Sequence, residues 1–300
     1  MSLNSVRKTG FFGGFLLAQT VVLLVFAPAA SAEDLVVTRD QRYSGQVLSA
    51  NTNGVVIRLP AGQQFQIPRG LIIELRVAQP ALIEKGIMYY ERGSMREAAA
   101  NLARAMPQFE ALDTDWAPKA VLYYARASLA TKDYATAARM FNSFMAWYPD
   151  SPDTSDAAIG LVEIDMHQGK HESALEKFTA MAGQYDSQVK PDAAGFRQAA
   201  LVYLGIGQCY EKLDKKDKAL HAYLTVIALY PEKACVDDAL FGAGRMCVAL
   251  GRLDKADELF AELVDDHPES EFARDAIKEQ SLIRQKKAEA GAAAKKTAGK

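Results

Sequence analysis

The chain has 300 residues, with 35 basic and 37 acidic side chains, a formal net charge of −2 and 49% hydrophobic residues. This composition is that of a folded globular protein and excludes collagen-like, disordered and multi-span membrane classes. A charge so close to zero also argues against a dedicated nucleic-acid-binding protein, and 3 cysteines are too few for a disulfide scaffold.

The first 32 residues have the pattern of a secretory signal peptide. Arg7 and Lys8 precede an apolar stretch over residues 11–27, and the small residues from Ala30 to Ala32 form an A-x-A-like site. We expect cleavage after Ala32 and export to the periplasm. An uncleaved N-terminal membrane anchor is the alternative, because roughly 17 apolar residues are close to the minimum that spans a bilayer.

Residues 33–78 consist of short β-favouring segments separated by turn signals. Val, Ile, Tyr and Phe are enriched in the segments, and Asn53-Gly54 and Ala61-Gly62 stand at breaks between them. This pattern predicts about five strands in a hairpin meander, a small all-β, barrel-like module that resembles SH3-like or Sm-like barrels. So short a module has little core of its own, so we expect it to pack on its neighbour or on a partner. It lacks a basic and aromatic cluster, and we interpret it as a docking module that binds no RNA.

Residues 79–276 carry helical spacing and an internal repeat. Five alanines recur 37 to 45 residues apart: Ala98, Ala137, Ala174, Ala219 and Ala256. A bulky residue lies four positions after each of them, namely Leu102, Phe141, Phe178, Tyr223 and Phe260. A small or modest residue lies twelve positions before each, namely Gly86, Ala125, Val162, Gly207 and Gly244. The pattern predicts a mainly α protein, an α-solenoid of about five helix pairs, with turns at Gly93, Lys132-Asp133, Gly169, Asp214-Lys215 and Gly251.

The repeat is identified as a tetratricopeptide-type repeat, whose order of Gly, Tyr, Ala, aromatic and Pro is nearly intact in LGIGQCYEKLDKKDKALHAYLTVIALYP. Its junctions, such as WYPDSPDTSDAAIGL, resemble those of bacterial envelope proteins, notably the outer-membrane β-barrel assembly lipoproteins and the Tol-Pal coordinator. Two features depart from these families: no lipid-bearing Cys follows the signal, and a β-module replaces the coordinator's coiled coil. The resemblance implies a role in envelope assembly or coordination.

The first helix of each pair should line the concave face of such a solenoid. Residues three before and one after the small-residue position share one helical face. Candidate partner-binding residues are Leu122, Arg126, Ile159, Glu163, Leu204, Gln208, Phe241 and Arg245. They predict an apolar strip with sparse charge, suited to an extended or helical peptide. Packing between repeats is the alternative for the aliphatic members, whereas Arg126 and Arg245 would need partners if buried.

No catalytic, cofactor or metal site is predicted. His167 and His171 are four apart but lie across a repeat turn, and Asp265-Asp266-His267 is interpreted as a solvated surface cluster. The chain has no G-x-S-x-G, Walker or H-E-x-x-H motif. Cys209 and Cys247 are expected to be packing thiols, with a disulfide between them as the alternative.

Residues 277–300 are predicted to hold the end of a capping helix, expected over residues 271–287, and then a disordered tail. From Arg284 onward there are six basic residues against one acid, Glu289. Such a tail could make a weak contact with an anionic membrane or a cell-wall polymer.

The sequence therefore favours a non-enzymatic exported scaffold that binds a protein or peptide partner, and no nucleic acid. One alternative is a structural subunit of a homo-oligomeric envelope complex. Another is an accessory cell-wall or polysaccharide-binding protein, which would need aromatic platforms, and Trp116 and Trp147 are the only tryptophans.

Overall fold

A computed structural model describes residues 34–186 and 192–298 of the chain. The segment interpreted as a signal peptide therefore lies outside the described residues. The described part contains five strands followed by eleven helices.

The strands form one antiparallel sheet in the order β4-β3-β2-β1-β5. Their bounds are Asp34–Thr38 (β1), Arg42–Ala50 (β2), Gly54–Arg58 (β3), Gln64–Pro68 (β4) and Ile72–Arg76 (β5). The first four strands are a meander, as predicted, and β5 returns to pair with β1, so that β4 and β5 lie at the edges. The register shifts between Val47 and Ser49 in the β2–β3 pair, an irregularity that bends a sheet locally.

The sheet packs on the first repeat rather than standing apart. Its core residues Val36, Val47 and Ile57 belong to the same buried cluster as Ile83 and Leu102 of the helices. Polar contacts reinforce this packing, since the Trp116 indole Nε1 donates to the Val77 carbonyl at 3.0 Å and the Glu110 N–H donates to the Ala50 carbonyl at 2.8 Å. The expectation that the module packs on its neighbour is consistent with this shared core.

The helices form five consecutive pairs and a final single helix. Their bounds are Ala81–Glu91 (α1), Met95–Ala105 (α2), Ala117–Ala130 (α3), Tyr134–Trp147 (α4), Thr154–His167 (α5), His171–Asp186 (α6), Ala193–Lys212 (α7), Lys216–Leu229 (α8), Lys233–Ala249 (α9), Leu253–Asp266 (α10) and Ala273–Ala298 (α11). Each pair matches one predicted repeat, so the predicted five-pair solenoid is confirmed.

The turn inside every pair contains one residue in the left-handed region, always five positions before the repeat alanine. Three are glycines, with Gly93 at φ +77° as an example, and the other two are Lys132 at +65° and Asp214 at +54°. L-residues with a side chain adopt this conformation at a cost, which is smaller for Asp than for Lys. The turns inside the pairs therefore lie where the sequence predicted them.

Close approach of the helices explains the small-residue positions. A Cβ added to Gly207 would lie 2.6 Å from the ring of Tyr223, and one added to Gly242 in the next repeat would lie 2.7 Å from the same ring. Phe178 is held against Gly205 in the same way, at 2.6 Å. Each aromatic therefore fills the space that a glycine leaves, which sets the separation between neighbouring helices.

The last helix differs from the expectation for the C-terminus. Helix α11 continues to Ala298, through most of the segment predicted to be a disordered tail. The segment is rich in Ala and Lys, which are strong helix formers, and a helix already docked on α10 needs no new nucleus to extend. Nowhere in the described residues does a helix combine the length and the apolar character needed to cross a membrane.

Candidate functional site

The first helices of successive pairs contact one another in series, from α1 to α3, α5, α7 and α9. Two neighbouring clefts lie along this row. The first cleft has a volume of about 390 Å³ and is lined mainly by α1, α3, α5 and α7. The second cleft has a volume of about 360 Å³ and is lined mainly by α5, α7, α9 and Phe272. The two share Met166, His167 and Gln208, so they adjoin along the row of first helices, and together they are called the groove.

Six of the eight predicted partner-binding residues line this groove. They are Arg126, Glu163, Leu204 and Gln208 in the first cleft, and Gln208, Phe241 and Arg245 in the second. The other two, Leu122 and Ile159, are 7% and 0% exposed and lie in hydrophobic clusters. Leu204, at the equivalent position of its repeat, lines the first cleft but is only 9% exposed and also belongs to a buried cluster. These three aliphatic residues therefore pack between helices, as the alternative for them expected.

Arg126 is paired within the protein. Its Nη1 donates to Oε2 of Glu163 at 2.6 Å, and its Nη2 donates to the Asp156 carbonyl at 3.0 Å. Burial acts to lower the pKa of Arg126, but the charges of Glu163, Tyr90 and Asp156 outweigh it and raise the pKa, so the guanidinium stays charged. The partner that a buried arginine needs is therefore supplied by the next repeat.

A second ion pair continues this network from α5 to α7. The Asp156 carboxylate, of which 6% is exposed, receives Nη2 of Arg197. Burial raises the pKa of Asp156, while Arg197 and Arg126 act to lower it. Two arginines and two acids thus link three successive first helices beneath the first cleft.

The second cleft contains another linked set around Glu211. Both carboxylate oxygens of Glu211 are used, because Oε2 accepts from the Tyr223 hydroxyl at 2.8 Å and Oε1 accepts from Nη2 of Arg245. Burial and the nearby Glu211 raise the pKa of Tyr223, so its hydroxyl remains a donor. The guanidinium of Arg245 also lies 5.9 Å from the ring centre of Phe241, which stacks on Phe272 at 5.0 Å.

Asp238 is a groove residue that sequence reasoning missed. Its half-buried carboxyl lines the second cleft, and in the described part of the chain it makes no ion pair and no hydrogen bond to another side chain. Burial, followed by the charges of Glu271 and Asp237, raises its pKa from the ordinary 3.8 to about 6. The only sequence signal was the Asp237-Asp238 pair, which stands in a junction interpreted as extra length between repeats.

Gln208 stands where the two clefts meet. Across residues 34–186 and 192–298, its side-chain amide has no hydrogen-bond partner. A glutamine amide both donates and accepts, as a peptide group does. It can therefore pair with the backbone of an extended segment that lies in the groove.

The other candidate side chains carry little chemistry. His167 stacks on Tyr134, with ring centres 6.1 Å apart, and His171 lines the second cleft. The part of the chain that the structure describes contains no group of three or more possible metal ligands. Cys209, Cys235 and Cys247 are buried free thiols, and burial raises the pKa of Cys209 to about 11. The considered Cys209–Cys247 disulfide is therefore absent from this structure.

A further cavity of about 490 Å³ lies between the sheet and the first repeat. It is lined by Gln46, Arg104 and Gln108 among others, and contains none of the predicted binding residues. We interpret this cavity as the space left where the sheet packs on the first repeat, and not as part of the groove.

Comparison with known proteins supports the repeat assignment. The family model described as tetratricopeptide repeat matches residues 201–233 and 238–270, which span α7–α8 and α9–α10. No protein with a curated description matches the sequence.

Solved structures share the helical fold at low sequence identity. The apo form of the quorum sensor NprR from B. thuringiensis aligns with a TM-score of 0.54 and 15% identity, over 67% of this chain and 56% of that one. NprR in complex with its cognate peptide NprX gives 0.53 and 15%, over 67% and 58%. Yeast Tom70 gives 0.50 and 15%, over 69% and 40%, so the chain spans less than two thirds of the length of each of these structures. The helical part of this chain is therefore a solenoid of the tetratricopeptide-like fold, in which residues 201–233 and 238–270 match the repeat family itself.

Proposed function

We propose that this protein is a non-enzymatic scaffold that holds an extended segment of a partner protein in the groove along its first helices. The observation that carries this proposal is that the two clefts adjoin along the row of first helices, with the amide of Gln208, unpartnered among the described residues, at their junction. NprR, which shares the helical fold of this chain, has been solved in complex with its cognate peptide NprX.

The chemistry of the groove suits a peptide better than a reacting substrate. Met166 supplies half-buried apolar surface, Leu129 and Leu204 line the cleft at 9% exposure each, and the charges of Arg126 and Glu163 are matched to each other. Burial disfavours the thiolate form of all three cysteines, and it raises the pKa of Cys235 to about 12. Apolar side chains of the partner would bind this surface, and its backbone would bind Gln208.

A bulky neutral side chain at Gln208 tests the groove. We expect Gln208→Trp to abolish recovery of the partner in affinity purification from an envelope fraction, because the ring would fill the junction of the clefts. Gln108→Trp is the matched control, since Gln108 is exposed and lies in the cavity beside the sheet. Circular dichroism should show unchanged helicity for both variants. Equal recovery with Gln208→Trp would place the binding site elsewhere.

We also propose that the protein is exported and that its partner belongs to the bacterial envelope. The basic, apolar and small-residue pattern of the first 32 residues supports this, as does the resemblance of the repeat junctions to envelope proteins. Mass spectrometry of the exported chain should give an N-terminus at Glu33. A chain that retains Met1 would favour the membrane anchor instead.

The basic end of the chain is proposed to make a weak contact with anionic lipid or cell-wall polymer. Helix α11 contains Lys286, Lys287, Lys295 and Lys296. Sedimentation with anionic vesicles should fall when residues 288–300 are removed, and should fall with added salt. Sedimentation that is unchanged by this truncation would contradict the contact.

Self-association through the sheet is a second candidate function. On and beside edge strand β5, Leu71 is 56% exposed and Ile73 is 66% exposed. A second copy could pair its own β5 along this edge and cover both side chains. Light scattering should then show a dimer that Ile73→Lys converts to a monomer, while a monomeric wild-type protein would remove this candidate.

The polysaccharide alternative has less support, because Trp116 is 8% exposed and its Nε1 is bonded to the Val77 carbonyl.

A further inference from the structure

The carboxylates that line the groove differ in whether the protein pairs them. Glu163 is bonded to Arg126, and Glu211 is bonded to both Tyr223 and Arg245. Asp238 has no such partner among the residues that the structure describes. It is thus a carboxylate that the protein leaves available in the second cleft.

The surroundings of Asp238 do not compensate its charge. The charges that act on it come from Glu271 and Asp237, which are acids. Asp237 faces away to a different partner, since its Oδ1 lies 2.8 Å from Nδ1 of His267. Lys212 lines the same cleft, but it is exposed and is not among the charges that act on Asp238. Arg245, also on α9, lines the cleft as well, but it is bonded to Glu211 and is not among the charges that act on Asp238. The charges that act on this half-buried carboxyl are therefore all negative.

Aromatic rings line the same cleft. Phe241 stacks on Phe272 with ring centres 5.0 Å apart, and Tyr223 lines the cleft beside them. The guanidinium of Arg245 already lies over the ring of Phe241, so this ring accepts a cation within the protein itself. Aromatic faces attract cations, and they also pack against the methylene stems of Lys and Arg.

We propose that the second cleft binds a Lys or Arg side chain of the partner segment, with its charged head at Asp238 and its stem against Phe241 and Phe272. This inference rests on the proposed groove function and specifies its partner as a segment with a basic residue at that position. An unpaired, half-buried carboxylate is unfavourable in the free protein, and burial raises its pKa accordingly. A cation from the partner would relieve that cost on binding.

Peptide pools test this specificity on the full-length protein. Four pools of end-capped octapeptides share a randomised Ala, Leu and Gln background and carry one central Lys, Arg, norleucine or Glu. Fluorescence anisotropy should show that wild-type protein binds the Lys and Arg pools about tenfold more tightly than the norleucine pool, with the Glu pool weakest. Asp238→Asn should remove this preference and leave binding of the norleucine pool intact. Asp237→Asn, the matched control at the adjacent position, should keep the preference.

The outcomes separate this inference from the proposed function. Equal binding of the Lys and norleucine pools by wild-type protein, or a preference that survives in Asp238→Asn, would overturn the cation site. If Gln208→Trp still abolished binding of all pools in that case, the groove function would stand. Absence of binding by every pool would overturn both.

Discussion

The two clefts of the groove are built from equivalent helices but treat charge differently. In the first cleft, Arg126 and Glu163 come from equivalent positions of adjacent repeats and neutralise each other. In the second cleft, Glu211 is satisfied but Asp238 is not. Asp156 stands six residues before the small residue of its repeat, as Asp238 does in its own, yet Asp156 is bonded to Arg197. The comparison teaches that the same repeat position can hold the stack together in one repeat and remain available for a partner in another. Substitutions in the first cleft should therefore mainly change stability, whereas substitutions at Asp238 in the second should mainly change which partner binds.

Removing the paired arginine should have the largest effect on stability. Arg126→Met leaves Glu163 without its partner in a site where its side chain is 20% exposed, so we expect a loss of about 3 kcal/mol in the free energy of unfolding. Urea unfolding followed by circular dichroism measures it. The double variant Arg126→Met/Glu163→Gln should recover most of the loss. A single variant with near wild-type stability would show that this pair does not hold the first cleft together.

Neutralising Asp238, the unpaired acid, should raise the free energy of unfolding instead of lowering it. The pKa of Asp238 is raised in the folded protein to about 6, so the folded state holds its proton more tightly than the unfolded state does. Stability from this group is therefore present at pH 4 and is lost as the pH rises through about 6. We expect Asp238→Asn to stabilise the protein by roughly 2 kcal/mol at pH 7 and by little at pH 4. Urea midpoints at both pH values measure this, and a destabilised variant at pH 7 would contradict it.

Removing the hydroxyl of Tyr223 tests how much its hydrogen bond to Glu211 stabilises the second cleft. Tyr223→Phe keeps the ring between Gly207 and Gly242 but removes the hydrogen bond to Glu211. We expect a loss of about 1 kcal/mol, because Arg245 still satisfies the carboxylate. Thermal unfolding of this variant beside Tyr89→Phe in α1, which lies outside this network, gives the measure. A loss as large as that of Arg126→Met would mean that this hydrogen bond stabilises the second cleft as much as the ion pair stabilises the first.

The smallest expected effect is at the turns beside the clefts. Lys132 borders the first cleft in a left-handed conformation, and Lys132→Gly should raise stability by about 0.5–1 kcal/mol. Asp214→Gly should gain less, since Asp tolerates this conformation better. Melting temperatures of the two variants test the order, and a loss at Lys132→Gly would contradict the strain.

Local patterns were sufficient to predict the repeats, their turns and the positions of the wedged aromatics. Each depends on residues within one helix pair, where spacing determines contact. The bond between Arg126 and Glu163 could not be predicted, because it depends on the pitch between repeats, and neither could the pairing of β5 with β1. Asp238 was missed because a residue without an internal partner leaves no pairing pattern in the sequence. Helix α11 was predicted too short because its last residues are Ala, Gly and Lys, which supply few apolar side chains for a core.

The sheet that shares its core with the first repeat has a consequence for how such a chain can change length. Residues of the sheet such as Val47 and Ile57 already pack against the first helix pair. A helix pair added at that end would separate the two and leave the apolar face of the sheet exposed. Units can be inserted or deleted between the second pair and the last helix without exposing either terminus of the stack. Gene rearrangement in this architecture would thus lengthen or shorten the groove from the middle, and leave the anchored end unchanged.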